Sequence, residues 1–450
     1  MSEQTVIWVR DSSPFDDLDT RQVACLRRLQ EQLLTDDRIV RLQGPAAEDP
    51  EPVVYADAAG QWRAGRYVGS LSLGDMRLNI EPRFPFEVLL RWVDAAFDFI
   101  AIPQVAQLQR AESFVPWLLA LLWSRRLDRA CRHGLPSLRV DGEHEGPLAR
   151  GRIDVRATSR LRRQRPGYLA THTRERTLDN DIVRTLVCAE NTLRYVTGSD
   201  KWQSRRVRDL CARMREAVGP RPLLPGQRDL DRVRYTPIRL PFRDLVAFSH
   251  RLARRRGYLS GPQSGAAEGV LLDVAELWEL FLLGCTRDAR RDLNVRHGTR
   301  ALNTEPVHLL RSAIRPDVGL GRLLPDILVS DDDGAIAVLD AKYKRLAWAP
   351  DRPDGVDRGD RYQLVSYLSR FRDGERTSGA LLYPEGMGEG APAGAELNGP
   401  WLTRDGNAVH FVRLPVDRRG CTLAIDELLR SGPLSCASLA PAGREARLTP

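Results

Sequence analysis

Two lysines near residue 340 stand out because lysine is otherwise almost absent from this chain. The sequence has 68 Lys and Arg residues, of which three are lysines, and Lys342 and Lys344 both follow Asp340 within four positions. Arginine is always protonated and presents a planar fork of donors, whereas lysine is a compact charge whose pKa can be tuned. A site that orients a water molecule beside a metal ion needs the second kind of cation. We therefore expect chemistry at Asp340-Ala341-Lys342.

The segment before Asp340 predicts a β-hairpin that brings a second acid to it. Residues 325–329 and 335–340 have the length and apolar character of strands, and Asp332-Asp333-Gly334 between them suits a three-residue turn with glycine last. Such a loop pairs Ser330 with Ile336 and, counted outward, Asp326 with Asp340. The two-residue period of a strand then places Lys342 on the face of Asp340.

Two carboxylates that face each other across a hairpin repel unless a cation lies between them. Mg²⁺ is a hard cation that takes oxygen ligands, so we predict a Mg²⁺ site held by Asp326 and Asp340. The alternative is a solvent-facing hairpin that carries its acids and lysine by chance. A competing Pro-Asp pair at Asp317 is less suitable, because residues 318–321 do not lead straight into a strand facing Asp340.

Length and composition indicate a globular protein of two or three domains, because the chain has 450 residues, 42% of them hydrophobic and 28% charged. The longest apolar run, residues 114–123, is too short for a bilayer and contains Pro116. The first six residues do not resemble a secretion signal. Seven scattered cysteines without a C-x-x-C pair argue against a zinc site or a disulfide scaffold. We expect a cytoplasmic protein that does not bind membranes.

The net charge of +8 is unevenly distributed, since residues 150–176 contain nine arginines and only two acids. Clustered arginines suit a phosphate backbone, which makes Arg160, Arg162 and Arg163 candidates for positioning DNA. A solvated surface in an arginine-rich chain is an equally good explanation.

Patterning along the chain predicts an α/β and α+β multidomain protein with three regions. Residues 1–110 mix short strands with a helix at 20–34, residues 111–258 are mainly helical, and residues 259–450 form an α/β unit. Within the last region we predict a helix at 271–284 with Glu279, the hairpin, a helix at 360–368 and a strand at 378–384. This order is that of the restriction-endonuclease-like PD-(D/E)xK core. Gln363 and Tyr367 are one helical turn apart. They would either help to position DNA or only pack against the rest of the fold.

Several segments together resemble the McrC family, the nuclease subunit of McrBC-type modification-dependent restriction systems. The segments are residues 69–75 with 78–83, 150–154, 177–183 with Asn180, 271–279, and the set of Pro325-Asp326, Asp340–Lys344 and Asp360–Tyr367. Glu279 takes the position of the family's helix acid. The chain departs from the family pattern at Arg83, where the family has lysine, and at Trp278, where it has phenylalanine.

The resemblance implies a Mg²⁺-dependent endonuclease that cuts modified DNA and stimulates a separate McrB-type AAA+ GTPase, since the chain has no Walker motif of its own. Asp326 and Asp340 would ligate the metal, Glu279 would do so directly or through water, and Lys342 would orient or help deprotonate the attacking water. Residues 1–110 would form a docking region, and the nuclease domain would fold without them. Arg83, or an arginine near it, would act on the ring's nucleotide site. A homodimer through the nuclease domain is also expected.

Two other functions stay open at this point. One is a solo nuclease of repair or recombination with the same core. The other is a non-catalytic activator of an AAA+ ring, which the complete set of acids and lysine disfavours. A neighbouring gene for a Walker-type NTPase would favour the nuclease subunit of a McrBC-type system over the solo nuclease.

Overall fold

The computed structural model describes residues 5–33, 39–40, 52–97, 111–254, 268–298, 307–315, 317–331, 334–344, 355–371, 377–386 and 400–430. The chain divides into two compact units. The first combines Met1–Ala111 with Val270–Pro450, and the second is Glu112–Gly269.

The elements follow one another in three stretches. The first stretch holds β1 Thr5–Arg10, α1 Thr20–Leu33, β2 Ile39–Val40, β3 Val54–Ala56, β4 Trp62–Ala64, β5 Tyr67–Leu73, β6 Met76–Glu81 and α2 Phe86–Phe97. The second holds α3 Ala111–Ala130, β7 Leu138–Gly146, β8 Arg152–Ile153, α4 Val155–Gln164, β9 Leu169–Thr177, α5 Asp181–Thr197, α6 Arg205–Val218, α7 Gln227–Asp231 and α8 Pro241–Arg254. The third holds β10 Glu268–Asp273, α9 Val274–Ala289, β11 Asn294–His297, β12 His308–Arg311, β13 Gly319–Arg322, β14 Ile327–Asp331, β15 Gly334–Ala341, α10 Arg358–Leu368, β16 Ser378–Pro384, β17 Trp401–Leu402, β18 Ala408–Leu414 and α11 Arg418–Arg430.

One sheet combines four strands of the N-terminal segment with β10, in the order β1-β6-β5-β10-β2. Residues 69–75 and 78–83, which carry part of the family resemblance, fall mostly in the antiparallel strands β5 and β6, with Leu73 opposite Met76. Strand β10 joins this sheet, and its Leu271 and Leu272 pair in parallel with β2. The helix predicted at 271–284 therefore begins later, at Val274, where the Asp273 carboxylate caps it by accepting from the backbone N–H of Ala275 at 3.0 Å.

An aromatic cluster between α2 and α9 forms part of the core of the first unit. The Trp92 ring lies 5.0 Å from that of Trp278 and 5.8 Å from that of Phe281, and all three side chains are fully buried. Residues 1–110 are therefore not a separate domain, and their role in docking a partner stays a prediction. They supply sheet partners and core to the segment that carries Asp326 and Asp340, and we no longer expect that segment to fold without them.

The second sheet of this unit has the order β11-β14-β15-β16-β18-β17. β15, β16 and β18 run parallel, while β14 and β15 are antiparallel neighbours. Side chains such as Val338, Leu364 and Phe411 form a buried cluster where α10 covers the sheet. Helix α10 and strand β16 lie where the sequence predicts them. This mixed sheet positions the candidate site at the ends of β14 and β15.

The second unit combines helices with a three-stranded sheet of order β7-β9-β8. The prediction that residues 111–258 are mainly helical is confirmed by the long helices α3, α5, α6 and α8, but it misses the sheet. β7 and β9 pair over nine residues each, from Leu138 opposite Thr177 to Gly146 opposite Leu169. Their sequences, LRVDGEHEG and LATHTRERT, are polar on both strand faces and lack the apolar alternation that marks a half-buried strand.

Among the described residues, no helix is both long enough and apolar enough to cross a membrane.

Candidate active site

The hairpin of β14 and β15 brings the two predicted acids together. Ile327 pairs with Leu339, so Asp326, one residue earlier, lies beside Asp340 as the sequence predicts. The register shifts between Val329 and Ser330, and Ser330 pairs with Ala335 rather than with Ile336. A β-bulge thus absorbs the difference at the loop end without changing the register at the site. Residues 332 and 333 of the predicted turn lie outside the described residues.

Asp326 is held by backbone contacts on two sides. Its Oδ2 accepts a hydrogen bond of 2.7 Å from the backbone N–H of Ala341, and its carbonyl accepts one of 3.2 Å from Gly298. A side chain at Gly298 would place Cβ 1.8 Å from the carbonyl oxygen of Pro325, so only glycine allows β11 to end this close to the acid. These contacts give the Asp326 carboxylate one position at the strand end.

Lys342 joins Asp340 to helix α10. Its Nζ lies 2.5 Å from Oδ2 of Asp340, which is almost fully buried, and donates to Oε1 of Gln363 at 2.8 Å. The Lys342 backbone N–H donates to the carbonyl of Leu382 at 2.9 Å. The ammonium group is thus held from both sides in a largely buried position.

A chain of hydrogen bonds fixes the amide of Gln363. Gln363 Nε2 donates to the Tyr367 hydroxyl at 2.8 Å, and that hydroxyl donates to the Leu324 carbonyl at 3.1 Å. The Tyr367 hydroxyl donates its only proton to the Leu324 carbonyl, so it can only accept from Gln363. The Gln363 amide therefore directs Nε2 to Tyr367 and its acceptor Oε1 to Lys342. In this structure Gln363 and Tyr367 position Lys342, and their contact with DNA stays a prediction.

Asp360 and Lys344 extend this group of charges. Asp360 is buried in the first turn of α10, and its two carboxylate oxygens lie 2.8 and 2.6 Å from Nζ of Lys344. The same carboxylate has one oxygen 3.6 Å from Nζ of Lys342. Asp340, Lys342, Asp360 and Lys344 therefore alternate in sign.

Glu279 approaches the acid pair from helix α9. The indole N–H of Trp278, the neighbouring residue, donates to the Leu382 carbonyl at 3.2 Å, which a phenylalanine at this position could not do. Leu382 thereby anchors both α9 and Lys342. Glu279 itself forms an ion contact with the buried His297 of β11.

The electrostatics of the acids reflect an excess of negative charge. Burial raises the pKa of Asp326 well above its usual range, and the charges of Glu279 and Asp340 raise it further, against the Lys342 charge and the Ala341 N–H. Burial also raises the pKa of Asp340, although Lys342 opposes this. Burial lowers the pKa of Lys342, but the carboxylates of Asp340, Asp360 and Asp326 outweigh it, so the net pKa is raised and the ammonium stays charged.

The donor set suits a hard divalent cation. Oδ2 of Asp340 is buried and makes no hydrogen bond of acceptable geometry within the described residues, apart from its ion contact with Lys342. No group of three His, Cys, Asp or Glu in the described part of the chain is arranged to hold a metal as it stands. Mg²⁺ is commonly bound through one or two carboxylates and keeps several waters, so the pair of Asp326 and Asp340 meets its needs.

The other predicted residues lie elsewhere. Asp317 is exposed in the turn before β13, which pairs only with β12 within the described residues, so this acid does not face Asp340. Arg160, Arg162 and Arg163 are exposed on α4 in the second unit. Asn180 caps α5 by accepting from Val183 at 3.2 Å, which accounts for it structurally.

Arg83 is buried and does not suit the proposed action on a partner's nucleotide. Its side chain is 5% exposed, its Nε lies 3.2 Å from Oδ2 of the buried Asp11, and its guanidinium lies 4.8 Å from the Tyr343 ring centre. The expectation that Arg83 reaches into a neighbouring ring is therefore wrong in this arrangement. The residue instead packs behind the Lys342–Lys344 segment.

Three residues of the site were not predicted from the sequence. Asp360 and Lys344 stand in the quoted motifs, and their opposite charges flanking Lys342 are a signal that could have been used. His297 sits in a short strand with no distinguishing pattern. Only the fold reveals its contact with Glu279.

The comparisons with known proteins identify the family of this chain. A family model described as McrBC 5-methylcytosine restriction system component matches residues 62–384, a range that contains Glu279, Asp326, Asp340 and Lys342. No curated protein matches the chain.

Among solved structures, one similar chain is in the refined half-complex from the tetradecameric assembly of Thermococcus gammatolerans McrB AAA+ hexamers with bound McrC. It has 16% identity and a TM-score of 0.57, with 96% of this chain and 100% of that chain covered. A second is in the cryo-EM structure of the Thermococcus gammatolerans McrBC complex, with 17% identity, a TM-score of 0.37, and 63% and 88% covered. The first likeness shows a shared fold. From the family match, which spans well over half of the sequence, the chain belongs to the McrBC 5-methylcytosine restriction system component family, and within it to the McrC family.

Proposed function

We propose that this chain is the Mg²⁺-dependent endodeoxyribonuclease subunit of a McrBC-type restriction system that defends against phage. The observation that carries this is the convergence of Asp326, Asp340 and Lys342 at the end of one hairpin. Acid, acid and lysine in this arrangement are the elements of a PD-(D/E)xK nuclease site. The site is then built on strands of a mixed sheet, which hold its side chains more rigidly than a loop would.

The residues divide the work of phosphodiester hydrolysis. Asp326 and Asp340 would hold Mg²⁺, with Glu279 acting directly or through water and the Ala341 carbonyl completing the shell. When bound, Mg²⁺ supplies Lewis-acid activation of the phosphate and a more acidic water. Lys342 would orient the attacking water or help to deprotonate it, and the neighbouring carboxylates raise its pKa in the metal-free protein. Gln363 and Tyr367 keep Lys342 in place.

The partners follow from membership of the McrC family. DNA, in modified form, would be the substrate. A separately encoded McrB-type AAA+ GTPase would supply nucleotide hydrolysis, which this chain would stimulate. Because Arg83 is buried, an arginine near it is the better candidate for the stimulating residue. A homodimer through the nuclease segment would place two sites on one duplex.

The test combines cleavage and GTPase assays on the complex with its ring partner, with GTP and Mg²⁺. Asp340→Ala, Asp326→Ala and Lys342→Ala should each reduce DNA cleavage by about a hundredfold or more, since a bound metal supplies several kcal/mol of transition-state stabilisation. Stimulation of GTP hydrolysis should remain. Asp317→Ala is the matched control and should cut normally. Full cleavage by Asp340→Ala would sink the assignment, and a wild-type complex that stimulates GTP hydrolysis without cutting would favour a non-catalytic activator.

A further inference from the structure

The ammonium group of Lys342 occupies a position that conflicts with metal binding. Its Nζ lies 2.5 Å from Oδ2 of Asp340, an oxygen of a proposed Mg²⁺ ligand. A divalent cation and an ammonium ion repel each other, and at such short range in a buried site this repulsion is weakly screened. Lys342 must therefore loosen its contact with Asp340 when the cation binds.

Asp360 lies where it can pair with the ammonium group of Lys342 once that group has moved away from Asp340. One of its oxygens is already 3.6 Å from Nζ of Lys342, so a movement of under about 1 Å makes a full ion pair with normal charge-assisted geometry. Gln363 Oε1, at 2.8 Å, keeps its hydrogen bond to the lysine through such a small change.

The position of Asp360 is itself well determined. The residue is buried in the first turn of α10, where the helix dipole stabilises a carboxylate. Lys344 holds both of its oxygens at less than 3 Å. Asp360 thus keeps its position while Lys342 exchanges partners.

We propose that Asp360 is a positioning residue, a second anchor that takes Lys342 from Asp340 when a divalent cation binds. Metal binding and lysine placement are then one coupled event, and the lysine is delivered to the water-orienting position only when the metal is present. This inference rests on the proposed metal-dependent nuclease function.

The test is a double-mutant cycle on metal affinity, measured by calorimetry with Mn²⁺ alone on the full chain without DNA. Mn²⁺ favours the same carboxylate and water ligands as Mg²⁺. Asp360→Asn removes the second anchor and should weaken Mn²⁺ binding by about fivefold or more, within the usual range of coupling between contacting residues. Lys342→Met removes the competing ammonium and should tighten binding. In the Lys342→Met background, Asp360→Asn should have little further effect.

The double-mutant cycle distinguishes two roles for Asp360: an anchor that binds Lys342, and a negative charge that only attracts the cation. If Asp360 only attracts the cation through space, Asp360→Asn weakens Mn²⁺ binding equally with and without Lys342, and the proposal is overturned. Lys201→Met is the matched lysine control, because Lys201 is exposed and belongs to the second unit, and it should leave the coupling between Asp360 and Lys342 unchanged. Asp426→Asn, a variant in an exposed ion pair with Arg430 on α11, should leave Mn²⁺ affinity unchanged.

Failure of the function and failure of the anchor give different results. If wild-type protein binds no Mn²⁺, or Asp340→Ala binds it as well as wild type, the metal site itself is wrong and both proposals fall. If Asp340→Ala abolishes binding but the cycle shows no coupling, only the role of Asp360 is lost. A thermal melt of each variant confirms folding, and recovery of Mn²⁺ affinity in the double variant shows that Asp360→Asn alone has not disrupted the site.

Discussion

At the scale of single residues, the site concentrates negative charge where water is largely excluded. Burial and the neighbouring acids both disfavour the ionised form of Asp326, and one lysine charge is shared among several carboxylates. A site of this kind is less stable by itself than with a cation bound. Perturbed pKa values of this kind are common at functional sites, which agrees with the proposed role of these residues.

We expect Asp326→Asn to stabilise the metal-free protein at neutral pH. The folded-state pKa of Asp326 is raised, so the wild-type carboxyl group costs stability at every pH above its unfolded pKa. The cost is full above the folded-state pKa and shrinks as the pH falls from there towards the unfolded value. The variant's melting temperature should exceed that of wild type by about 2–4 °C for each kcal/mol relieved, and the gap should close near pH ~4, the usual pKa of Asp. Asparagine keeps an acceptor for the Ala341 N–H.

The measurement is a series of thermal melts in chelator from pH 4 to 8. Asp292→Asn is a control of opposite sign, because hydrogen bonds from Arg290 hold the pKa of Asp292 at about 2 and its charge therefore favours the folded state. Added Mg²⁺ should raise the melting temperature of wild type but not of Asp326→Asn. A variant that is less stable than wild type at pH 8 would show that the carboxylate is not under electrostatic strain.

At the scale of elements, the parts of the site that depend on local pattern were predictable. The apolar runs and turn of the hairpin, strand β16 and helix α10 are short-range signals, and they place Asp326 beside Asp340 correctly. The bulge after Val329 was not visible, because a one-residue slip near a turn leaves little trace in the sequence.

Long-range pairing was the part that the sequence did not reveal. Leu271 and Leu272 continue an apolar pattern into α9 and so favour a helix, but pairing with β2, more than 200 residues away, makes them a strand. Polar strands such as β7 and β9 carry no apolar alternation at all. In each case the structure depends on which distant segment the strand pairs with. Neither the β-propensity of the residues nor the period of the apolar pattern identifies that segment.

The shared core gives a prediction about truncation. A chain that lacks residues 1–111 loses α2 and four strands of the β1-β6-β5-β10-β2 sheet, and with them the Trp92 side of the aromatic cluster. Removing a single buried tryptophan typically costs about 3–5 kcal/mol, so losing the whole layer should exceed the stability of the unit. We expect residues 270–450 alone to lack a cooperative melt.

Circular dichroism melts of three fragments check this. The fragment Glu112–Gly269 is a compact unit and should fold alone, and residues 270–450 should regain a cooperative transition when residues 1–111 are added in trans. If residues 270–450 melt cooperatively and bind Mn²⁺ by themselves, the N-terminal segment is an accessory and the shared-core interpretation is wrong.

At the scale of the whole molecule, the buried carboxylates of the candidate site and the arginine-rich segment 150–176 belong to different units. The first unit holds the buried carboxylates, which would repel a DNA backbone without a metal. The arginines of residues 150–176 belong to the second unit, where Arg160, Arg162 and Arg163 are exposed on α4. A polyanionic substrate needs such a surface for affinity, since phosphate contacts supply most of non-specific binding.

We therefore expect the triple variant Arg160→Ala, Arg162→Ala and Arg163→Ala to bind DNA less tightly and with a weaker dependence on salt. Each phosphate contact contributes about 0.9 to the slope of log affinity against log salt, so the slope should flatten by up to about 2.7 without a change in sequence preference. The control is Arg205→Ala, Arg208→Ala and Arg213→Ala, which removes the same charge from exposed positions of α6. Binding titrations of both variants from 50 to about 300 mM salt, with matched duplexes, make the comparison. If the salt dependence flattens equally in the two triple variants, the α4 arginines act only through net charge. If the slope is unchanged in the α4 variant, its arginines form a solvated surface that DNA does not contact.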